Sequence, residues 1–383
     1  MRINIFGSTG NIGIKTLKLI DNHFPKIKIN LLTANTNFNK ILEQIHKFDP
    51  KYVYLDDITS LEKLKKKIKS NVKILSKKEL SEYLLQSKSE LTLLSIAGYK
   101  SLNFLEEIFE NTDNLGLVSK EAIVSAGHLF KSKKYFYKTN IFPLDSEHFS
   151  LFNYLQNRSD KNNLNKIYLT ASGGPFLNFK YRQLDNVSFN EAIKHPKWKM
   201  GYKNSIDSAT LINKCLEIIE AHYLFNIPYE KIDILIHPES LVHSIIVNNN
   251  YLSNMVLFKN DMQIPILNFL SISNKNYKEI DQSLSIKSYG NLSFQNVKND
   301  QFPIYNFFKK MKKDPINVIK FNIINEKAVE LFKNNRIKYT DIYKIITKLD
   351  SLNLYSQLKN IKDIIKYHDE IHKNFEKIFY NKI

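Results

Sequence analysis

Residues 2–13, RINIFGSTGNIG, decide the fold of the N-terminal part of the chain. Residues 2–6 are predicted to form a strand, and residues 14–24 have the spacing of an amphipathic helix. Between them, Gly7, Gly10 and Gly13 recur every third residue. N–H groups at a helix start, with the positive end of the helix dipole, bind pyrophosphate when the backbone can come close. The spacing is G-x-x-G-x-x-G rather than G-x-G-x-x-G, so its place between strand and helix carries the prediction of a dinucleotide site.

The pattern of strand followed by helix continues through the first part of the chain. Further strand-like segments are residues 28–34, 52–55, 91–96, 115–118 and 140–144, and residues 39–47 are helix-like. Such alternation predicts an α/β fold with a Rossmann-like, doubly wound parallel sheet. We expect this dinucleotide-binding domain to span residues 1–148.

The pattern of predicted strands and helices changes after residue 148. Residues 149–298 hold longer strands, at 166–170, 232–237, 241–247 and 255–258, around one helix predicted at 208–225. This predicts a central α+β catalytic domain. Residues 299–383 are helical in pattern, with candidates at 316–334, 341–352 and 361–379 and a cap at Thr340 and Asp341. They are expected to form a C-terminal helical bundle.

Composition excludes several classes of protein. The chain has 383 residues, 43% of them hydrophobic, which is ordinary for globular domains and too apolar for disorder. No apolar run reaches the ~18–20 residues of a membrane span, so no membrane association is expected. Cys215 is the only cysteine, which excludes an internal disulfide and a multi-cysteine zinc site. With a strand starting at Arg2 and no room for a leader, a cytoplasmic location is expected.

The formal net charge of +18 allows a second reading. A nucleic-acid-binding protein could use such charge. However, the densest basic cluster, residues 61–80, has leucine and isoleucine at helical spacing beneath its lysines. This favours a solvated helix face over an anion-binding patch, and no nucleic-acid recognition motif is present.

The end of the second predicted strand bears on cofactor choice. NAD-binding proteins place an Asp or Glu there for the ribose hydroxyls. Here the segment reads Ala34-Asn35-Thr36-Asn37, with Lys40 close behind. Without a carboxylate to repel a 2′-phosphate, NADP is favoured over NAD.

Three carboxylates form a candidate metal site. Asp145 and Glu147 follow a predicted strand and could share a cation if the backbone is extended; the alternative is a helix N-cap with an acidic first turn. Glu217 lies one helical turn after Asn213 and Lys214, which are candidate substrate groups, although an ordinary Lys–Glu helix pair is the alternative. Oxygen ligands without a Cys or His cluster suit Mg²⁺ or Mn²⁺.

Several other segments could contact a ligand. Ser172-Gly173-Gly174 could be an anion-binding turn or a plain tight turn, and Ser208 could add a hydroxyl at a helix start. The loop from His195 to Gly201, with Trp198, is typical of a lid, or holds a packed surface tryptophan. Lys120 could polarise a carbonyl or form a structural ion pair. For His237 and His243 we expect core and turn roles.

Together these motifs resemble the 1-deoxy-D-xylulose 5-phosphate reductoisomerase family nearly end to end. They are GSTGNIG, SKEAIVSAGH, PLDSEHFSLF, TASGGPF, HPKWKMGYKNSIDSATLINKCLE, HPESLVHS, DMQIPI and INEKAVELF. The resemblance implies a homodimeric enzyme of non-mevalonate isoprenoid biosynthesis. It would convert 1-deoxy-D-xylulose 5-phosphate to 2-C-methyl-D-erythritol 4-phosphate with NADPH and Mg²⁺, Mn²⁺ or Co²⁺.

The resemblance also implies roles for single residues. The cofactor contacts would be Thr9, Gly10, Asn11, Ile12, Asn35, Asn37, Ser119, Glu121 and Gly201. The metal ligands would be Asp145, Glu147 and Glu217, and the catalytic residues Lys120, Glu147 and His195. The substrate would contact Lys120, Ser146, Glu147, Ser172, His195, Ser208, Asn213, Lys214 and Glu217.

Two positions depart from the family pattern. The usual Asn before Lys-Glu is Ser119, and the usual Gly-Lys-Asn after the second strand is Asn35-Thr36-Asn37. The missing lysine removes a positive charge from the expected 2′-phosphate site, for which Lys40 could compensate. The competing interpretations are another NADP-dependent dehydrogenase of a phosphorylated sugar or amino-acid precursor, and a nucleic-acid-binding protein.

Overall fold

The computed structural model describes residues 1–68, 71–133, 138–156, 163–197, 201–272, 283–285, 290–349 and 358–380, without the side chains of 131–133 and 376–380. The chain divides into two compact units. The first comprises Met1–Ser119, Phe130–Phe149 and Asp261–Gln282, and the second comprises Lys120–Leu129, Ser150–Asn260 and Ser283–Ile383. The three-domain division remains a prediction.

A parallel sheet of seven described strands organises the first unit. Its strands are β1 (Arg2–Phe6), β2 (Lys28–Ala34), β3 (Tyr52–Leu55), β4 (Lys73–Ile74), β5 (Ser89–Leu94), β6 (Thr112–Leu117) and β7 (Asn140–Pro143). The order β4-β3-β2-β1-β5-β6-β7 reverses direction at β1, as in a doubly wound fold. The predicted Rossmann-like sheet is therefore confirmed.

The register of this sheet aligns the strand ends. Phe6 pairs with Leu94, Leu94 with Leu117, and Leu117 with Pro143. The loops that follow these strands therefore leave one edge, where ligands bind in open parallel sheets. Strands such as β2 are buried on both faces, because helices cover a parallel sheet on both sides.

Most helices that begin in or belong to the first unit follow these strands in the chain. The helices are α1 (Asn11–His23), α2 (Phe38–Phe48), α3 (Ile58–Lys67), α4 (Lys77–Gln86), α5 (Leu105–Asn111), α7 (Ser146–Gln156) and α11 (Gln263–Ser271), which comes later, after Asn260; α6 (Lys120–Lys133) begins in the second unit. The basic stretch 61–80 is not one helix face. It spans the end of α3, β4 and the start of α4, which a Ser76–Glu79 capping box begins.

The second unit holds a mixed sheet of five described strands in the order β11-β10-β8-β9-β12. They are β8 (Leu164–Ala171), β9 (Ile232–Ile236), β10 (Val242–Asn248), β11 (Ser253–Leu257) and β12 (Gln295–Asn296). The helices are α8 (Phe189–Ala192), α9 (Tyr202–Thr210), α10 (Ile212–Phe225), α12 (Pro303–Lys310), α13 (Pro315–Lys333), α14 (Asp341–Ile346) and α15 (Ile361–Tyr380). The expected α+β and helical parts are both present.

Two local predictions were wrong. The helix expected over 208–225 is broken at Leu211, whose φ of 69° is left-handed, so Ser208 lies in the last turn of α9 rather than at a helix start. At α14, Thr340 takes the cap position but donates its hydroxyl to Asp185 Oδ1 at 2.5 Å instead of capping the helix. Within the described ranges, no helix is both long and apolar enough to cross a membrane.

Candidate functional site

The glycine turn between β1 and α1 is fixed by close backbone contacts and by hydrogen bonds with a residue of α2. Gly7 has a φ of +83°, and a Cβ on Gly13 would lie 2.4 Å from the Gly7 carbonyl oxygen. Ser8 is fully buried and donates to Gln44 Oε1 at 2.7 Å, while Gln44 Nε2 donates back to the Ser8 carbonyl oxygen at 2.9 Å. Gln44 was not among the predicted residues; its signal is a polar residue on the buried face of α2.

The same turn leaves Thr9, Gly10, Asn11 and Ile12 partly or fully exposed. Gly10 caps α1 without a side-chain hydrogen bond, and the first turn of the helix carries no acidic residue. The first N–H groups of a helix have no intrahelical acceptor, and no carboxylate competes for them here. This geometry fits an anionic phosphate group.

The segment after β2 differs from expectation in its details. Asn35 and Asn37 are exposed, but Asn37 Oδ1 accepts a hydrogen bond from Lys40 N at 3.1 Å and so caps α2. The Lys40 ammonium lies 2.7 Å from Glu43 Oε2. A 2′-phosphate would therefore compete with Glu43 for the charge of Lys40.

Ser119 and Glu121 make contacts of their own. The Ser119 hydroxyl donates to the Ile96 carbonyl oxygen at 2.5 Å, at the end of β5. In the second unit, Glu121 is buried and its Oε1 lies 3.3 Å from Lys203 Nζ. A cofactor that contacts Ser119 and Glu121 would therefore compete with the Ile96 carbonyl oxygen and with Lys203 for these side chains.

Asp145 and Glu147 lie at the start of α7, not on extended backbone. The Asp145 carbonyl oxygen accepts from Phe149 N at 2.7 Å, and Glu147 lies in the first helical turn. Ser146 donates its hydroxyl to Glu147 Oε2 at 2.6 Å. His148, for which no role was predicted, has a buried ring whose Nδ1 lies 3.4 Å from Asp145 Oδ1. The helix N-terminus stabilises both negative charges.

Glu217 in the second unit is a fully buried carboxylate with several partners. Lys120 Nζ lies 3.0 Å from Oε1, and Lys214 Nζ lies 2.7 Å from Oε2. Asn213 Nδ2 also donates to Oε1, at 2.5 Å. The predicted helix face of Asn213, Lys214 and Glu217 is therefore present, and the chain fold adds Lys120 to it.

A second buried carboxylate supports this cluster. Glu220 Oε2 lies 3.7 Å from Lys120 Nζ. Glu220 was not among the predicted residues, although a carboxylate in the mostly apolar run IIEAHYLF marks it. Two lysines then face two carboxylates, so this group has no net charge.

The Ser172-Gly173-Gly174 turn contacts the end of α9. Gly173 and Gly174 have φ of +84° and +65°, and a Cβ on Gly174 would lie 3.1 Å from the Ser208 carbonyl oxygen. Ser172 Oγ accepts from Gly174 N at 3.2 Å and lies 3.0 Å from His195 Nε2. Although Ser208 is not at a helix start, the fold brings it beside this turn.

His195 is held in one tautomer. Its Nδ1 accepts from Lys197 N at 3.2 Å, so in the neutral ring Nε2 carries the proton and donates to Ser172. Burial, helped by the charge of Lys214, lowers the pKa of His195 to about 4. Ser172 thus accepts two hydrogen bonds, and its own O–H is left to donate to a ligand.

The structure describes only part of the loop from His195 to Gly201, which was predicted to be a lid or to hold a packed surface tryptophan. Trp198 and Met200 lie outside the described residues. Gly201 does not need to be glycine for space, because a Cβ there meets no atom of the described residues within 4 Å.

The predicted core role of His237 is confirmed: its Nε2 accepts from Leu241 N and Val242 N, and its ring stacks on Phe294. His243 stacks on Phe258, as a core residue would.

Three protein-family models together match most of the chain. The family model described as 1-deoxy-D-xylulose 5-phosphate reductoisomerase matches residues 3–127. Its C-terminal domain model matches residues 141–225, and a DXP reductoisomerase C-terminal domain model matches residues 257–374.

Single relatives agree with these models. Proteins named 1-deoxy-D-xylulose 5-phosphate reductoisomerase from Pelagibacter ubique and Clostridium acetobutylicum are 36% and 37% identical, over 94% and 97% of both chains. A DOX-P reductoisomerase solved with NADPH, fosmidomycin and magnesium superposes with a TM-score of 0.89 at 27% identity, covering 99% of this chain and 98% of that one. The enzyme from Zymomonas mobilis in complex with NADPH gives 0.84 at 29% identity, over 96% of each chain.

Proposed function

The chain belongs to the 1-deoxy-D-xylulose 5-phosphate reductoisomerase family, and from this premise we propose how its residues perform that reaction. The product is 2-C-methyl-D-erythritol 4-phosphate, the reductant is NADPH, and the pathway is non-mevalonate isoprenoid biosynthesis. The observation that carries the proposal is the buried group of Lys120, Asn213, Lys214 and Glu217. It brings two ammonium groups for an anionic substrate, from α6 and α10, next to Glu217, a potential metal ligand.

The turn between β1 and α1 binds the dinucleotide. Thr9, Gly10, Asn11 and Ile12 present backbone N–H groups to the pyrophosphate, and Gly13 lets the helix approach β1 closely. Asn35 and Asn37 contact the adenosine phosphate, and Ser119, Glu121 and Gly201 complete the site. When bound, NADPH supplies the hydride that reduces the rearranged aldehyde.

Asp145, Glu147 and Glu217 are the proposed ligands of Mg²⁺, Mn²⁺ or Co²⁺. Their oxygen donors suit hard dications. When bound, the ion lowers the pKa of a substrate hydroxyl and stabilises negative charge on its oxygen. Ser146 and His148 orient Glu147 and Asp145 through the contacts within α7.

Lys120 and Lys214 exchange partners when substrate binds. Without ligands they neutralise Glu217. In the complex, Lys214 would hold the substrate phosphate and Lys120 the reacting oxygens, which would leave Glu217 to hold the metal ion. The lysines therefore offset the cost of burying the Glu217 carboxylate until the anionic substrate arrives.

Ser172, Ser208 and Asn213 hold the remaining substrate oxygens with Lys214. Asn213 Oδ1 is buried and receives no hydrogen bond from any described residue, so a substrate O–H fits there. Neutral His195 fixes the Ser172 hydroxyl toward the ligand without adding charge. Phosphate binding of this kind supplies remote binding energy that positions the reacting end.

The test is NADPH oxidation with 1-deoxy-D-xylulose 5-phosphate, followed by absorbance with and without Mg²⁺ or Mn²⁺. We expect turnover only with the dication, and a loss on the order of hundredfold in Glu217→Gln at limiting Mg²⁺. Exposed Glu230→Gln is the matched control. Turnover that survives chelation would instead favour another NADP-dependent dehydrogenase of a phosphorylated sugar or amino-acid precursor.

The oligomeric state and the cellular location of the enzyme are also proposals. We propose a homodimer, as the family resemblance implies, in the cytoplasm. The single, fully buried thiol of Cys215 is compatible with a reducing compartment. Light scattering and cell fractionation test these two points.

A further inference from the structure

Two helices of the second unit bring one carboxylate and two imidazoles together. Glu326 lies on α13, and His368 and His372 lie one turn apart on α15, which packs against α13. One potential ligand atom from each residue lies within 4.8 Å of the other two. Histidines at i and i+4 share a helix face, an arrangement that zinc sites use.

The cluster is removed from water. His368 is fully buried, and the Glu326 side chain is 10% exposed. Glu326 Oε2 lies 3.8 Å from His372 Nε2, whereas the buried Oε1 receives no hydrogen bond from any described residue. Burying a carboxylate oxygen without a donor is costly, and a cation bound there would offset that cost.

The surrounding charges also favour a dication. Lys203 lies near Glu326, but its Nζ is 2.7 Å from Asp207 Oδ2 and 3.3 Å from Glu121 Oε1. Three carboxylates, of Glu121, Asp207 and Glu326, therefore share one ammonium. A divalent cation beside Glu326 would supply positive charge that this single ammonium does not.

Ser125 provides an outer contact of the type metal-binding histidines use. Its Oγ lies 3.2 Å from His368 Nε2. When that nitrogen carries the proton and donates to Ser125, Nδ1 has the lone pair that a metal requires.

We propose that Glu326, His368 and His372 bind one transition-metal dication of the zinc class. Two nitrogens and one carboxylate oxygen suit Zn²⁺ and discriminate against Mg²⁺, unlike the all-oxygen ligands proposed for catalysis. A water completes four-coordination. The ion fastens the C-terminal helix α15 to α13.

The experiment measures zinc binding to the full chain in millimolar Mg²⁺, which occupies the oxygen site and competes poorly for imidazole. Zinc retained after gel filtration is counted by atomic emission, and the melting temperature is compared with and without Zn²⁺. We expect about one zinc per chain and a rise in melting temperature of about 5 °C.

The variants His368→Gln and His372→Gln should each weaken zinc binding at least tenfold, while His46→Gln, at an exposed histidine of α2, should bind zinc like wild type. His372 is the less buried of the pair, so His372→Gln decides the question if His368→Gln does not fold. No zinc in wild type, or undiminished zinc in His372→Gln, overturns the proposal and leaves a Glu–His ion pair between the helices. The readout does not use activity, so it is independent of the proposed function.

Discussion

At the scale of single residues, the candidate substrate site depends on charges removed from water. Glu217, Lys120 and Lys214 are all buried, and each has an opposite charge within 3.0 Å. Breaking a buried pair by removing one partner leaves an uncompensated charge, which costs far more than losing a surface pair. Substitutions here therefore affect folding as well as binding, and each needs a control that separates the two.

Replacing Lys214 by Ala should raise the KM for the phosphorylated substrate. The lost charge-assisted hydrogen bond to phosphate corresponds to roughly 10- to 100-fold. Steady-state kinetics with varied substrate measures it, circular dichroism checks the fold, and exposed Lys194→Ala is the control. An unchanged KM in Lys214→Ala would place the phosphate elsewhere.

The titration of His195 should report on Lys214. Burial and this ammonium lower the pKa of His195 to about 4, so the ring is neutral from pH 7 down to about pH 5. In Lys214→Ala the pKa should rise but stay below its ordinary value, because burial is the larger cause. Ring chemical shifts followed by NMR measure this, and Lys194→Ala should leave the midpoint in place. An identical midpoint in Lys214→Ala would show that Lys214 does not act on the ring.

At the scale of elements, tight turns control where functional groups point. Leu211 is left-handed and ends α9, so α10 starts at Ile212 with Asn213 and Lys214 in its first turn. The β1–α1 turn depends in the same way on Gly7 and Gly13. A side chain at Gly13 would meet backbone atoms, which cannot move away as a flexible side chain can.

Gly13→Ala should destabilise the first unit and abolish tight NADPH binding. The new Cβ would lie 2.4 Å from the Gly7 carbonyl oxygen and 2.6 Å from Ser8 Cα, and overpacking of this kind costs about 1–3 kcal/mol. Thermal unfolding and NADPH fluorescence titration measure the two effects. Gly290→Ala is the control, because a Cβ there meets no described atom within 4 Å. Wild-type affinity in Gly13→Ala would mean that the turn does not bind the cofactor.

At the scale of the whole molecule, the +18 charge is interspersed with carboxylates. Exposed lysines form ion pairs with carboxylates on several elements; examples are Lys47–Asp21, Lys65–Glu62, Lys88–Asp113 and Lys338–Asp185. Such pairs contribute about 0–1 kcal/mol each to stability, but they reduce the local positive potential. We therefore interpret the charge as a property of the surface rather than as a binding site.

Retention on immobilised DNA should accordingly be weak and independent of sequence. We expect release by about 0.2 M salt, since binding without a built site rests on counterion release alone. Excess DNA should leave NADPH oxidation unchanged. Retention that persists at this salt concentration, or inhibition by DNA, would favour the nucleic-acid-binding alternative.

The sequence by itself determined the features that depend on local pattern. The glycine turn, the alternation that builds the parallel sheet, and the face shared by Asn213, Lys214 and Glu217 could all be predicted, because strand and helix periods place neighbours a few residues apart. The long, ordered set of motifs also identified the family that the chain resembles. Even so, the break at Leu211 was missed, since a left-handed leucine has no composition signal.

Only the tertiary structure decided which distant residues meet. Lys120 reaches Glu217 across 97 residues, and Gln44 of α2 accepts a hydrogen bond from Ser8 in the β1–α1 turn. The Glu326–His368–His372 cluster joins two helices that the sequence analysis treated separately. Such contacts depend on how elements pack, because burial makes the energy of a charge or an imidazole depend on its neighbours in space rather than along the chain.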